Sequence, residues 1–237
     1  MSTLIEQTVI FARKHSKTIG LFIFGLGIVA FKINMALQPT PVIKLYIGES
    51  WEEMRKNSTA TIVPAIYDSV YDTTPKQYSA LVFDDGRYTF RTPKSKFFMI
   101  MYDDKKVDNI QISPTMHTTT LDESLDLIDN LQTQWKSNGW FLTNPKEFPA
   151  LDRSNDLMER YKACLPVSTY WQAEHKYQII VAFSCFGSKD LFGRQQYMVT
   201  LGIATPWVQT PAELDQQERE REAKAKREGK VYVPLPR

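Results

Sequence analysis

The chain of 237 residues carries 29 Lys and Arg against 27 Asp and Glu, a formal net charge of +2, which is too near neutral to argue for a nucleic-acid partner. Its 43% hydrophobic and 12% aromatic content is that of a folded protein rather than a disordered one. Beyond an N-terminal apolar run, about 200 residues remain, enough for one larger domain or two small ones.

That run, Ile19–Phe31, is bounded by Lys17 and Lys32. Its length alone suits the apolar core of a signal peptide. Ile33, Met35, Ala36 and Leu37 continue the apolar character, so Thr18–Leu37 reaches the roughly 20 residues of a membrane span, with Lys32 snorkelling to a headgroup. A cleavage site is poorly provided: Asn34 stands two residues before Ala36, where a small residue is wanted, and Ala30 lies inside the run. No Cys follows the run to carry a lipid. The preferred reading is an uncleaved transmembrane anchor over 18–38; the alternative is a cleaved signal. Arg13, Lys14 and Lys17, opposed only by Glu6, keep residues 1–17 cytoplasmic and send the rest outward. The expected location is the bacterial inner membrane, single-pass, with a periplasmic C-terminal domain.

Residues 39–48 then read as a stiff spacer, "QPTP", and a first strand. Residues 49–210 read as an antiparallel α+β domain, a candidate doubled unit with halves 49–140 and 141–210, and 211–237 as a charged tail. In "VIKLYIGESWEEMRKNS" a strand leads into a helix, with Ser50 and Glu53 at capping-box spacing. Thr59–Gln77, with Pro64 and Pro75, receives no assignment. "SALVFDDGRYTFR" predicts a hairpin about Asp85-Gly86, placing Phe83 opposite Tyr88 and Leu81 opposite Phe90. "KFFMIMYDDKKVDNIQIS" predicts a second hairpin turning within Asp103–Lys106. These acidic turns lack the spacing of a calcium loop.

"TTLDESLDLIDNLQTQWKSNGW" predicts a helix capped by Thr120 and Glu123, with Leu121, Leu125, Ile128, Leu131 and Trp135 on one face. Gly139 ends it, and Trp140 is placed to fold back. A second, weaker helix falls in "ALDRSNDLMERYKACL", and strands follow in "VSTYWQA", "KYQIIVAFSCF" and "RQQYMVTLGIA". In the last, Tyr197, Val199, Leu201 and Ile203 point one way, which implies a sheet with one wet face. The tail alternates acid and base and predicts a solvated helix followed by an extended end.

Few residues invite chemistry. Cys164 and Cys185 are the only cysteines, and in an oxidising compartment they predict one disulfide. With Glu174-His175 as a two-residue turn, Ala173 pairs with Lys176 and Cys164 falls opposite Cys185. Neither His117 nor His175 has a second histidine at metal-ligand spacing, so no metal is expected. The acidic pairs Glu52–Glu53 and Asp122–Glu123 sit in first helical turns, where they complement the helix dipole. There is no serine elbow and no phosphate loop. No catalytic residue, cofactor or small-molecule ligand is expected.

The stretch "IGESWEEMRK" resembles the helix start of small envelope proteins of the SmpA/OmlA type and of β-lactamase-inhibitor-like domains, through Gly48, Ser50, Glu53 and Met54. The glycine ending of that helix and the lipid-bearing cysteine are absent. The resemblance implies an envelope protein that works by binding other proteins, and the general character is that of immunity proteins. The leading expectation is a membrane-anchored periplasmic binding protein of the inhibitor, immunity or envelope-assembly type, with a protein partner and no nucleic acid. The alternatives are a bitopic structural subunit of a secretion or envelope machine and a periplasmic hydrolase with His117 as base.

Overall fold

The computed structural model describes residues 39–64, 71–187, 189–229 and 231–232. The segment 18–38, read as an anchor, lies outside the described residues; among these, no helix is long and apolar enough to cross a membrane. The main compact unit is Pro41–Arg237. It is α+β, with two sheets and four helices among the described residues.

The smaller sheet has the order β1-β3-β4, from β1 (Val42–Leu45), β3 (Ser79–Asp84) and β4 (Thr89–Ser95). β1 runs parallel to β3, and β4 antiparallel to it. The larger sheet has the order β2-β5-β6-β10-β9-β8-β7 and is antiparallel throughout. Its strands are β2 (Tyr71–Thr73), β5 (Phe97–Asp103), β6 (Lys106–Ser113), β7 (Phe141–Leu142), β8 (Val167–Ala173), β9 (Tyr177–Phe186) and β10 (Gln196–Ala204). The two candidate halves share this one sheet, because β10 pairs with β6.

Helix α1 (Trp51–Asn57) is capped by Ser50, whose hydroxyl accepts from the Glu53 N–H. Helix α2 (Leu121–Ser137) has the full capping box, Thr120 with Glu123. Its end is a Schellman turn: Gly139 has φ +82°, the Trp140 N–H donates to the Trp135 carbonyl at 3.0 Å, and the Gly139 N–H to Lys136. Helix α3 (Asn155–Lys162) and helix α4 (Pro211–Arg227) complete the set. α4 is the solvated helix expected of the tail and buries no residue.

The core lies against one face of the larger sheet. Leu125, Ile128, Leu131 and Trp135 of α2 are buried with Val199, Leu201 and Ile203 of β10. Trp135 lies tilted against Trp171 of β8, Phe83 of the small sheet meets Tyr177 of β9, and Tyr161 of α3 meets Phe183. Both edges of the small sheet are occupied. The Arg91 N–H donates to Gln134 Oε1, and Gln134 Nε2 donates back to the Arg91 carbonyl. On the other edge, Val42 exchanges bonds with Thr59, and Lys44 with the Ser58 hydroxyl.

Two hairpin registers differ from expectation. Phe83 pairs with Phe90, not Tyr88, because Asp85 Oδ1 accepts from the Arg87 and Tyr88 N–H groups and closes a longer loop over residues 85–88. Ala173 pairs with Tyr177, not Lys176, because Glu174 takes φ +50° in a three-residue loop. The turn at Asp104-Lys105 does have two residues, both at positive φ.

The disulfide Cys164–Cys185 is present, with Cα atoms 5.3 Å apart. It does not arise from strand register. Cys164 precedes β8, at φ +57° just after α3, so the bond fastens the end of that helix to the inward side of β9.

Candidate interaction surface

The small sheet, α2 and α3 occupy one face of the larger sheet. The other face is set by alternation and register. Outward positions are Phe97, Met99 and Met101 on β5, and Asn109, Gln111 and Ser113 on β6, which pair with them. Met198, Thr200, Gly202 and Ala204 follow on β10, beside Ser184, Ala182, Ile180 and Gln178 of β9. Ser168, Tyr170 and Gln172 of β8 continue the row. None of these side chains is charged; charge on these strands' outward side is at the β5–β6 turn, where Asp103 pairs with Lys106.

Part of this face is roofed. Tyr170 packs edge-on against Phe148 and lies near Trp207. Gln178 is fully buried; its carbonyl oxygen accepts from the N–H groups of Trp207 and Val208, and its amide donates to the Val208 carbonyl at 2.8 Å and to Gln172 at 2.9 Å. Trp207 is thereby held over the sheet while 46% of it stays exposed. Beside it is an open cleft of about 220 Å³, lined by Asn109, Gln111, Ile180, Gly202 and Trp207. Gly202 makes the floor: a Cβ there would stand 2.8 Å from Ile180 Cγ2.

At the far end of the same face lies a second groove, about 360 Å³, lined by Phe97, Met116, Phe186 and Met198, with Lys96 and His117 at its rim. Next to it, the β9–β10 loop exposes Leu191 and Phe192 almost completely. Asp190 fixes this loop by accepting from the N–H groups of Phe192 and Arg194 and from Arg194 Nε.

The residues singled out from sequence are dispersed. His117 borders the groove, and among the described residues no carboxylate is bonded to it. The nearby Glu123 is engaged by the Thr120 N–H at 2.8 Å and hydroxyl at 2.9 Å, and these bonds hold it below the ordinary carboxylate range. His175 lies elsewhere, with Nδ1 2.6 Å from Glu213 at the start of α4. Glu52 pairs with Lys105, and Glu53 faces its cap. Among the described residues, no group of three His, Cys, Asp or Glu side chains is placed to hold a metal.

Of the resemblance motif, Gly48 takes φ +89°, and Met54 is buried against the Tyr102 hydroxyl. Both serve the fold. Gln178, Trp207, Leu191 and Phe192 are not among the residues that the sequence singles out. For the last two the signal was present: an apolar pair in the polar loop "KDLFGRQQ". No protein-family model, no curated protein and no solved structure matches this chain.

Proposed function

We propose that this is a membrane-anchored periplasmic binding protein of the inhibitor, immunity or envelope-assembly type, and that it grips a protein partner through the open face of its larger sheet. One observation carries the reading: apart from Asp103 and Lys106 at the β5–β6 turn, the outward positions of β5, β6, β10, β9 and β8 are uncharged, and they end in a cleft walled by a half-exposed tryptophan. The solvated face of an antiparallel sheet ordinarily carries charged and polar side chains. Depletion of charge around an aromatic anchor is the composition of an interface centre. The anchor rests on the apolar segment Thr18–Leu37, and the orientation on the basic residues before it.

The test is in-cell photo-crosslinking in the intact envelope. A photoreactive residue at Gln111 or Thr200 should join the chain to a second protein, while one at Glu220 of α4 should not. Gln111→Arg, which places a cation in the cleft at an exposed position, should abolish the product without altering thermal unfolding. Equal crosslinking from the sheet face and from α4, or none from either, would refute the reading.

A further inference from the structure

The end of the fold at which the chain enters gathers several exposed apolar side chains, Leu191 and Phe192 foremost among them. The Pro41 carbonyl accepts from Ala80, and Ala80 pairs with Lys94 at the end of β4. Lys96 follows directly and bonds to Thr115, and Phe97 pairs with Ser113. Ser113 reaches Val199 of β10, and Gln196 at the start of that strand pairs with Phe186. The loop that presents Leu191 and Phe192 springs from these last two strand ends. One end of the molecule therefore holds the entry point, the groove of Phe97, Phe186 and Met198, and a loop with Leu191 100% and Phe192 82% exposed.

From this we infer that the entry end of the fold lies on the lipid bilayer, with Leu191 and Phe192 inserted among the headgroups. The inference rests on the anchor reading above. If Leu37 ends a span, only residues 38–41 separate it from the fold, and at roughly 3.3–3.6 Å per residue the bilayer surface lies within about 14 Å of Pro41. Side chains so placed and so exposed meet lipid before any soluble partner.

The loop suits the task. Asp190 holds its backbone, so the two apolar side chains are presented without further ordering. The Arg194 guanidinium lies 5.3 Å from the centre of the Phe192 ring. Lys94, Lys96 and Lys189 are exposed at the same end and make no ion pair among the described residues, so they are available to anionic headgroups. No carboxylate lines the groove.

The full chain, reconstituted in vesicles of phosphatidylethanolamine and phosphatidylglycerol, provides the test. Phe192→Cys is labelled with an environment-sensitive fluorophore, the native cysteines being joined to each other, and Asp103→Cys at the other end of β5 is the control. Leu191→Cys is the second probe should the first fold poorly. The labels at 191 or 192 should shift to shorter wavelength and lose fluorescence to lipids bearing a quencher near the headgroup, and the label at 103 should do neither. Removing phosphatidylglycerol should weaken the effect. An anchored protein whose label at 191 and at 192 is no more quenched than at 103 would overturn the inference and leave the anchor standing. A shift that lipid quenchers do not touch would assign the loop to a protein contact instead. Release of the chain by alkaline carbonate would overturn the anchor reading and this inference with it.

Discussion

Gln178 has no exposed surface, yet it points toward the face of the sheet that solvent reaches. It binds backbone groups of Trp207 and Val208 that would otherwise lack partners over β9. Gln178→Leu keeps the size and removes every one of these bonds. The expected loss is about 1–3 kcal/mol in urea unfolding, because buried polar groups are left unsatisfied. Indole fluorescence should also change as Trp207 loosens, and an unchanged unfolding midpoint would show that the segment is held by packing alone. Glu49 makes a different case. It is 3% exposed, and burial raises its carboxyl above the ordinary value of 4.5, although the Tyr46 N–H and the Asn57 amide pull the other way. Its contribution to stability is therefore fully present below the unfolded value and is lost as pH rises through the folded one. Glu49→Gln should raise the thermal midpoint at pH 7 and remove that part of the pH dependence. Glu123, held low by Thr120, acts with the opposite sign: its contribution is present above the unfolded value and is lost as pH falls through the folded one.

Among the elements, the α3–β9 junction depends on a covalent bond. Cys164 and Cys185 are separated by 21 positions, and closing a loop of that size stabilises by about 3 kcal/mol in the chain-entropy model. Cys164→Ser with Cys185→Ser should lower the unfolding free energy by about that amount in denaturant titration. Alkylation of the unfolded, unreduced wild type should find no free thiol. The pairing is legible from sequence, but the β8–β9 register is one residue from that of a two-residue turn, and the sulfurs meet between the end of α3 and β9 rather than across two opposed strands. The reason is local. Residue pairs such as Asp85-Gly86 and Glu174-His175 specify two-residue turns, whereas the Asp85 carboxylate and the left-handed Glu174 lengthen these loops. Helix α2 was legible in detail, from cap to Schellman turn, because each of its signals lies within a few residues of its partner. The open face was legible only in half. Alternation along β10 says which residues share a side, but which side stays uncovered is decided by long-range contacts such as Trp135 with Trp171. Trp207 over the sheet depends on Gln178, 29 positions away, and no local pattern records that.

At the scale of the whole molecule, the fold closes before the chain ends. Helix α4 buries no residue, and the exposed His175 pairs with Glu213 at its start. A chain ending after Thr210 retains Trp207 and Val208 on Gln178 and should unfold within about 1 kcal/mol of the full protein in denaturant titration. A loss of several times that would show that the tail packs. The occupied edges of the small sheet have a wider consequence. On the anchored reading, copies of this protein diffuse in a plane, where each meets the others far more often than it would in free solution. The Gln134 amide on Arg91 and the hydroxyls of Ser58 and Thr59 on β1 already fill the positions that an incoming strand would take. The edge strands of the larger sheet, β2 and β7, have three and two residues. Crowding therefore does not turn encounters into ladders, and a strand from a partner finds little backbone to extend. On the binding reading proposed above, recognition then falls to side chains rather than to backbone, and substitutions around the Trp207 cleft should redirect it without disturbing the scaffold.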